Sequence, residues 1–311
     1  MIRWIALIPL LGLVAWACGD DNPDPRVYAS DPAGLIAFVG NLEENEEIYL
    51  ADVGADGSLG DWTNISESEL ADREPAISND GQRIAYSAQT ETGFNLVVES
   101  LEGDERKQLT DGPAVDAGPR WSPDDSLIAF YSFRDQQKQL LWVVSVDGGE
   151  ASFVLGERDP AGDCVGGFPG GWLDSERILY RGSNGTRDAL QICAIGVDGS
   201  DISVISSKDL VLDYYPALSP DGERIAFTKI AKDGDAEIYM MDVDGSNIRR
   251  LTNDKATDEY PAWSPDGEWL AFHSDRAGNF DLYMMRPNGS DVRQLTFEES
   301  DEMTPAWSTG E

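Results

Sequence analysis

Pro261-Ala262-Trp263-Ser264-Pro265-Asp266-Gly267 decides the fold, because the chain returns to it again and again. Variants stand at Pro75-Ala76-Ile77-Ser78-Asn79-Asp80-Gly81, Pro119-Arg120-Trp121-Ser122-Pro123-Asp124-Asp125 and Pro216-Ala217-Leu218-Ser219-Pro220-Asp221-Gly222. A degenerate copy is Gly171-Trp172-Leu173-Asp174-Ser175, and a fragment, Pro305-Ala306-Trp307-Ser308, nearly ends the chain. An apolar triplet closing on an aromatic accompanies each copy: Ile36-Ala37-Phe38, Ile84-Ala85-Tyr86, Ile128-Ala129-Phe130, Ile178-Leu179-Tyr180, Ile225-Ala226-Phe227 and Leu270-Ala271-Phe272. The aromatics lie 48, 44, 50, 47 and 45 residues apart, the period of a four-stranded propeller blade.

One period reads as four strands. Strand A is Pro261 to Ser264, and Pro265-Asp266-Gly267 turns the chain, proline presetting φ and glycine allowing positive φ. Strand B is Trp269 to Ser274, strand C is Phe280 to Met285, and strand D is Val292 to Thr296 after the hairpin dipeptide Asn288-Gly289. A single blade cannot bury both of its faces, whereas blades stacked around an axis can. Five copies are complete. The first triplet has only a weak strand A before it (Val27 to Ser30), and Pro305 to Ser308 is a strand A with nothing after it. The expected fold is therefore an all-β, six-bladed propeller in which the last strand completes blade one and removes the open edge.

Residues 261–296 resemble the WD40-like repeat of TolB-type propellers through Ser274-Asp275-Arg276, Gly278-Asn279, Leu282-Tyr283-Met284 and Arg293-Gln294-Leu295-Thr296. Ile238-Tyr239-Met240 and Arg250-Leu251-Thr252 repeat the later half. The resemblance implies the fold over about residues 30–308 and leaves the function open, since one fold hosts many functions. TolB itself carries an extra N-terminal α/β domain, which is not expected here between Cys18 and the first blade.

Residues 1–17 have the parts of a secretory signal peptide: Arg3, an apolar stretch from Trp4 to Val14, and small residues at Ala15 and Ala17. Two cleavage readings remain. Ala15-Trp16-Ala17 suits an ordinary signal peptidase, and the same residues with Cys18 look like a lipobox whose cysteine is lipidated. We expect lipidation at Cys18, a polar tether over 18–29 and a propeller over 30–308, in an exported periplasmic or cell-surface protein. The alternative is a soluble periplasmic or secreted form. The remaining cysteines, Cys164 and Cys193, are an even pair suited to one disulfide in an oxidising compartment.

The 58 acidic residues against 23 basic ones give a net charge of −35, which argues against nucleic acid and anionic membrane surfaces as partners. The only histidine, His273, falls within strand B, and no nucleophile elbow or zinc-ligand set accompanies it. Three residues before the strand A proline stands a carboxylate in five of six copies: Asp72, Asp116, Asp213, Asp258 and Glu302. Two readings follow. Either each shapes its own turn, or together they ring a channel mouth, with Tyr214 and Tyr260 interleaved, and attract Ca²⁺, another divalent cation or a basic peptide. The function expected is a monomeric, non-enzymatic envelope lipoprotein that binds an envelope protein or peptide and needs no cofactor. The alternative is a carboxylate-based polysaccharide hydrolase or lyase.

Overall fold

In the computed structural model the described residues are 33–42, 45–103, 105–134, 139–155, 164–183, 190–206, 212–230 and 234–308. The signal peptide, Cys18, the tether and the weak strand at Val27 to Ser30 lie outside them. Twenty-four strands form six antiparallel blades of four. Strand A of blades two to six is Asp72–Ile77, Asp116–Trp121, Val165–Trp172, Leu212–Leu218 and Asp258–Trp263, and strands B, C and D follow each in chain order. Blades four and five also touch through one parallel bridge, Leu190 with Leu212. Blade one takes its strand A from the far end of the chain, Glu302–Ser308, which pairs with Gly34–Gly40 from Leu35↔Ser308 to Gly40↔Glu302.

The apolar triplets explain why the blades must stack. All eighteen triplet residues are fully buried. Side chains alternate across a strand, so consecutive buried residues mean that both faces are covered. Ile36 and Phe38 pack with Trp269, Leu282 and Met284 of blade six, while Ala37 and Val39 pack with Ile84 and Tyr86 of blade two. The other blades follow the same rule. The core divides into six clusters, each spanning one junction between neighbours. The Met doublets obey it too: Met240 faces blade six and Met241 blade four, while Met284 faces blade one and Met285 blade five.

Hydrogen bonds tie the inner strands together. The indole N–H of Trp121 donates to the Ala76 carbonyl (2.8 Å), Trp172 to Arg120 (3.1 Å) and Trp263 to Ala217 (3.0 Å), each reaching the strand A of the preceding blade. Trp307 donates to Ala33 (3.1 Å), joining the two ends of the described chain.

The repeated turn is self-contained. The Ser264 hydroxyl donates to Asp266 (2.6 Å) and accepts from the Trp269 N–H (2.9 Å), while Asp266 accepts from the Glu268 N–H (3.0 Å). Much of the acidity is turn chemistry of this kind. Asp56, Asp198 and Asp244 each accept both the N–H and the hydroxyl of the serine two residues on, and these bonds hold their carboxyls below the usual range. Cys164 and Cys193 are bonded, with Cα atoms 6.4 Å apart, and tie the start of strand A to strand C of blade four.

Deleting residues 303–311 strips blade one of its inner strand and bares the edge of Gly34–Gly40. Thermal denaturation should show a melting temperature lower by about 10 °C or more, as losing several kcal/mol from a domain of this size requires. A truncated protein that melts with the full-length chain contradicts ring closure.

Candidate functional site

The five carboxylates that the sequence picks out stand inside strand A. Strand A begins three residues earlier than the proline motif suggests, so Asp72, Asp116, Asp258 and Glu302 open it and Asp213 is its second residue. All five are buried, none more than 2% exposed. Asp116 takes the Ser132 hydroxyl (2.6 Å) and pairs with Arg134, and Asp258 is held by both oxygens on Arg276 (2.8 and 2.8 Å). Asp213 lies 3.5 Å from the Lys229 ammonium. Glu302 accepts the Ser300 hydroxyl (2.6 Å), and Asp72 stands near Ser66 without a well-formed hydrogen bond. A second set of buried acids on strand C of the preceding blade faces three of them: Glu47 opposes Asp72, Glu237 opposes Asp258, and Asp281 opposes Glu302. Asp116, Asp213 and Asp258 are charge-paired within their own blades. Blade four, which lacks the acid, has Gly167 at the matching register, and a Cβ there would come within 2.5 Å of the Leu141 Cβ.

Strand alternation puts the next residues on the channel. Each strand A of blades two, three, five and six carries a register shift just after the acid, and the strands A of blades four and one carry shifts too. The residue before the proline sits there at positive φ: Glu74 (53°), Gly118 (65°), Tyr215 (48°), Tyr260 (56°) and Thr304 (50°). Glycine adopts this region at little cost, whereas Tyr and the β-branched Thr do so only under constraint. Residues at this position and the one before it line a cavity of about 380 Å³ in the channel: Arg73, Glu74, Ala117, Glu259, Tyr260, Met303 and Thr304. Their strand B partners Val39, Ser87, Tyr131 and His273 complete the wall, with Glu46, Phe94, Val115 and Phe280 at its edge.

Aromatic rings run around the channel across four blades. Tyr131 stacks on Phe168 (5.1 Å between centroids), Phe168 meets Tyr215 edge-on (5.4 Å), and Tyr215 stacks on Tyr260 (3.5 Å). Tyr260 then leans on His273 (5.2 Å), and His273 on Phe280 (5.0 Å). Tyr214 flanks Tyr215 (5.7 Å) and lies under the Arg181 guanidinium (5.3 Å). Burial holds Tyr131, Tyr215 and Tyr260 above the usual phenol range, so all three remain neutral donors. Burial also raises the Glu74 carboxyl, and the nearby Arg120 guanidinium opposes that rise. Tyr131 Oη donates to Glu74 (3.3 Å).

Of the residues expected at the mouth, Tyr260 lines the cavity, while Tyr214, which flanks Tyr215, and the five carboxylates are not among its lining residues. Glu74, Glu259, Tyr131 and His273 were not among the expected site residues. The signal for the strand A pair was present in the repeat: the residue three before the proline is nearly constant, and the two between it and the proline change from copy to copy. Among the described residues no group of three or more His, Cys, Asp or Glu is placed to hold a metal ion.

A family model described as the TolB beta propeller domain matches residues 27–164 and 169–311. An uncharacterized protein of Agrobacterium fabrum is 28% identical over 193 residues, 58% of this chain and 61% of that one. The Tol-Pal system protein TolB of Roseobacter denitrificans is 35% identical over 91 residues, 28% of this chain and 20% of its own length. The chain thus spans less than two thirds of these relatives. The crystal structure of TolB from Acinetobacter baumannii superposes with a TM-score of 0.76 at 17% identity, covering 89% of this chain and 67% of that one.

The buried acids give stability a pH signature. Burial lifts Glu302 to about 7 and Asp72 to about 6. The folded state therefore holds protons that the unfolded state releases, and the stability these groups contribute is present below the ordinary carboxylate pKa and lost as pH rises through those values. Urea denaturation across this range should show wild type losing on the order of 1–2 kcal/mol that Glu302→Gln retains. Identical pH dependence in the two proteins contradicts the assignment.

Proposed function

Because the chain belongs to the TolB β-propeller domain family, we propose that it is a non-enzymatic binding module of the cell envelope whose channel mouth receives a segment of a partner protein. The cavity between blades two, three, six and one carries this reading: it is concave, walled by aromatic rings and supplied with a few polar groups, the usual make-up of a recognition site. Large side chains held at positive φ point the same way, since such conformations persist where a function requires them. The blades supply a rigid frame, so a partner meets a preformed surface and loses little affinity to ordering.

In this proposal residues 1–17 direct export, Cys18 carries the lipid anchor, and the monomeric propeller hangs from it on the tether. Two or more acyl chains give stable anchoring at about 0.8 kcal/mol per buried CH₂. Mass spectrometry of the mature protein should find an acylated N-terminal Cys18, and an unmodified N-terminus excludes the anchor.

The binding role is tested in living cells by placing a photo-crosslinking phenylalanine analogue at Phe94 or Phe280 on the cavity edge, and at the exposed Val292 as control. A discrete adduct from the channel positions alone is expected. Equal labelling from all three, or none, contradicts the reading.

A further inference from the structure

The cavity has a charge and a wall chemistry that name its occupant. Three carboxylates line it, Glu46, Glu74 and Glu259, against one guanidinium, Arg73. Arg73 is already paired with Glu46, and Arg120 offsets part of the charge of Glu74. Glu259 is left facing His273. The His273 Nδ1 accepts the Thr304 N–H (3.1 Å), which assigns the ring proton to Nε2. That Nε2 stands 3.7 Å from the Glu259 Oε2, too far for a hydrogen bond. His273 is only 3% exposed and lines the cavity beside Glu259, so a buried imidazole and a carboxylate border the same space.

The walls suit a cation. The rings of Phe94, Tyr131, Tyr260 and Phe280 border the same space, and a cation over such faces gains from their quadrupoles, more so when it is shielded from water. The protein already uses this contact: arginines lie over aromatic rings at several blade junctions, among them Arg83 over Trp121 (4.9 Å) and Arg224 over Trp263 (4.6 Å).

We propose that the cavity is a socket for one cationic side chain, lysine or arginine, on the partner segment, with Glu259 as counter-charge and Tyr260 and Phe280 as walls. This rests on the binding role proposed above and adds the chemistry of the contact. The overall negative charge of the protein steers a basic segment towards this mouth, and the socket fixes its register.

The test uses isothermal titration of the propeller with the peptide acetyl-Gly-Gly-Arg-Gly-Gly-amide and with its Lys, Gln and Glu counterparts. The Arg and Lys peptides should bind about tenfold more tightly than the Gln peptide. Glu259→Gln should remove that preference while leaving the melting temperature unchanged, and added salt should weaken it. Equal affinity for the Arg and Gln peptides, no binding of the Arg peptide, or an undiminished preference in Glu259→Gln each overturns the socket. Channel crosslinking without any preference for cationic peptides removes the socket and keeps the binding role. Absence of both removes the two together.

Discussion

Every feature of this protein depends on strand B being buried on both faces. Ile-Ala-Phe and its variants put an aliphatic and an aromatic side chain towards one neighbour and a small or aliphatic one towards the other. Burying apolar area is worth about 25 cal/mol per Å², and an isolated blade would leave one whole set exposed. A blade thus needs a neighbour on each side, and only a closed ring gives every blade two. Closure through Glu302–Ser308 places the last strand between blade six and blade two and meets that need without an edge.

The ring also sets where variation is tolerated. The acid at the start of strand A is buried and nearly invariant among the copies, and in blades three, five and six it is paired with a cation of its own blade. The next two residues turn towards the axis, outside the apolar clusters that join neighbouring blades. They run Arg-Glu, Ala-Gly, Tyr-Tyr, Glu-Tyr and Met-Thr in blades two, three, five, six and one. Constancy among the repeats marks the frame, and divergence marks the residues that face the axis.

That distinction explains what was legible in the sequence. The blade count, closure by Pro305 to Ser308 and the succession of strands A to D follow from spacing and from proline and glycine chemistry, which are local properties. The Cys164–Cys193 pairing was expected from an even count and is the one formed. The proline motif alone starts strand A at the proline and so leaves the five acids in the turn before it. In the fold the strand begins at or just before the acid, and alternation then turns it off the channel. Glu74, Glu259 and His273 meet only when blades two and six are brought across the axis, a juxtaposition no local pattern announces.

The most direct measurement is the melting temperature of Thr304→Gly beside Asp258→Asn. Blade three already carries Gly118 at the matching bulge. If the positive-φ side chain serves the channel and not the frame, glycine relieves a strain of roughly 1–2 kcal/mol and the protein melts at or above the wild-type temperature. Asp258→Asn, which takes the carboxylate charge from beside Arg276, should melt well below it. The reverse order, with the glycine variant collapsing and the asparagine variant unchanged, would contradict the division between the frame and the residues that face the axis.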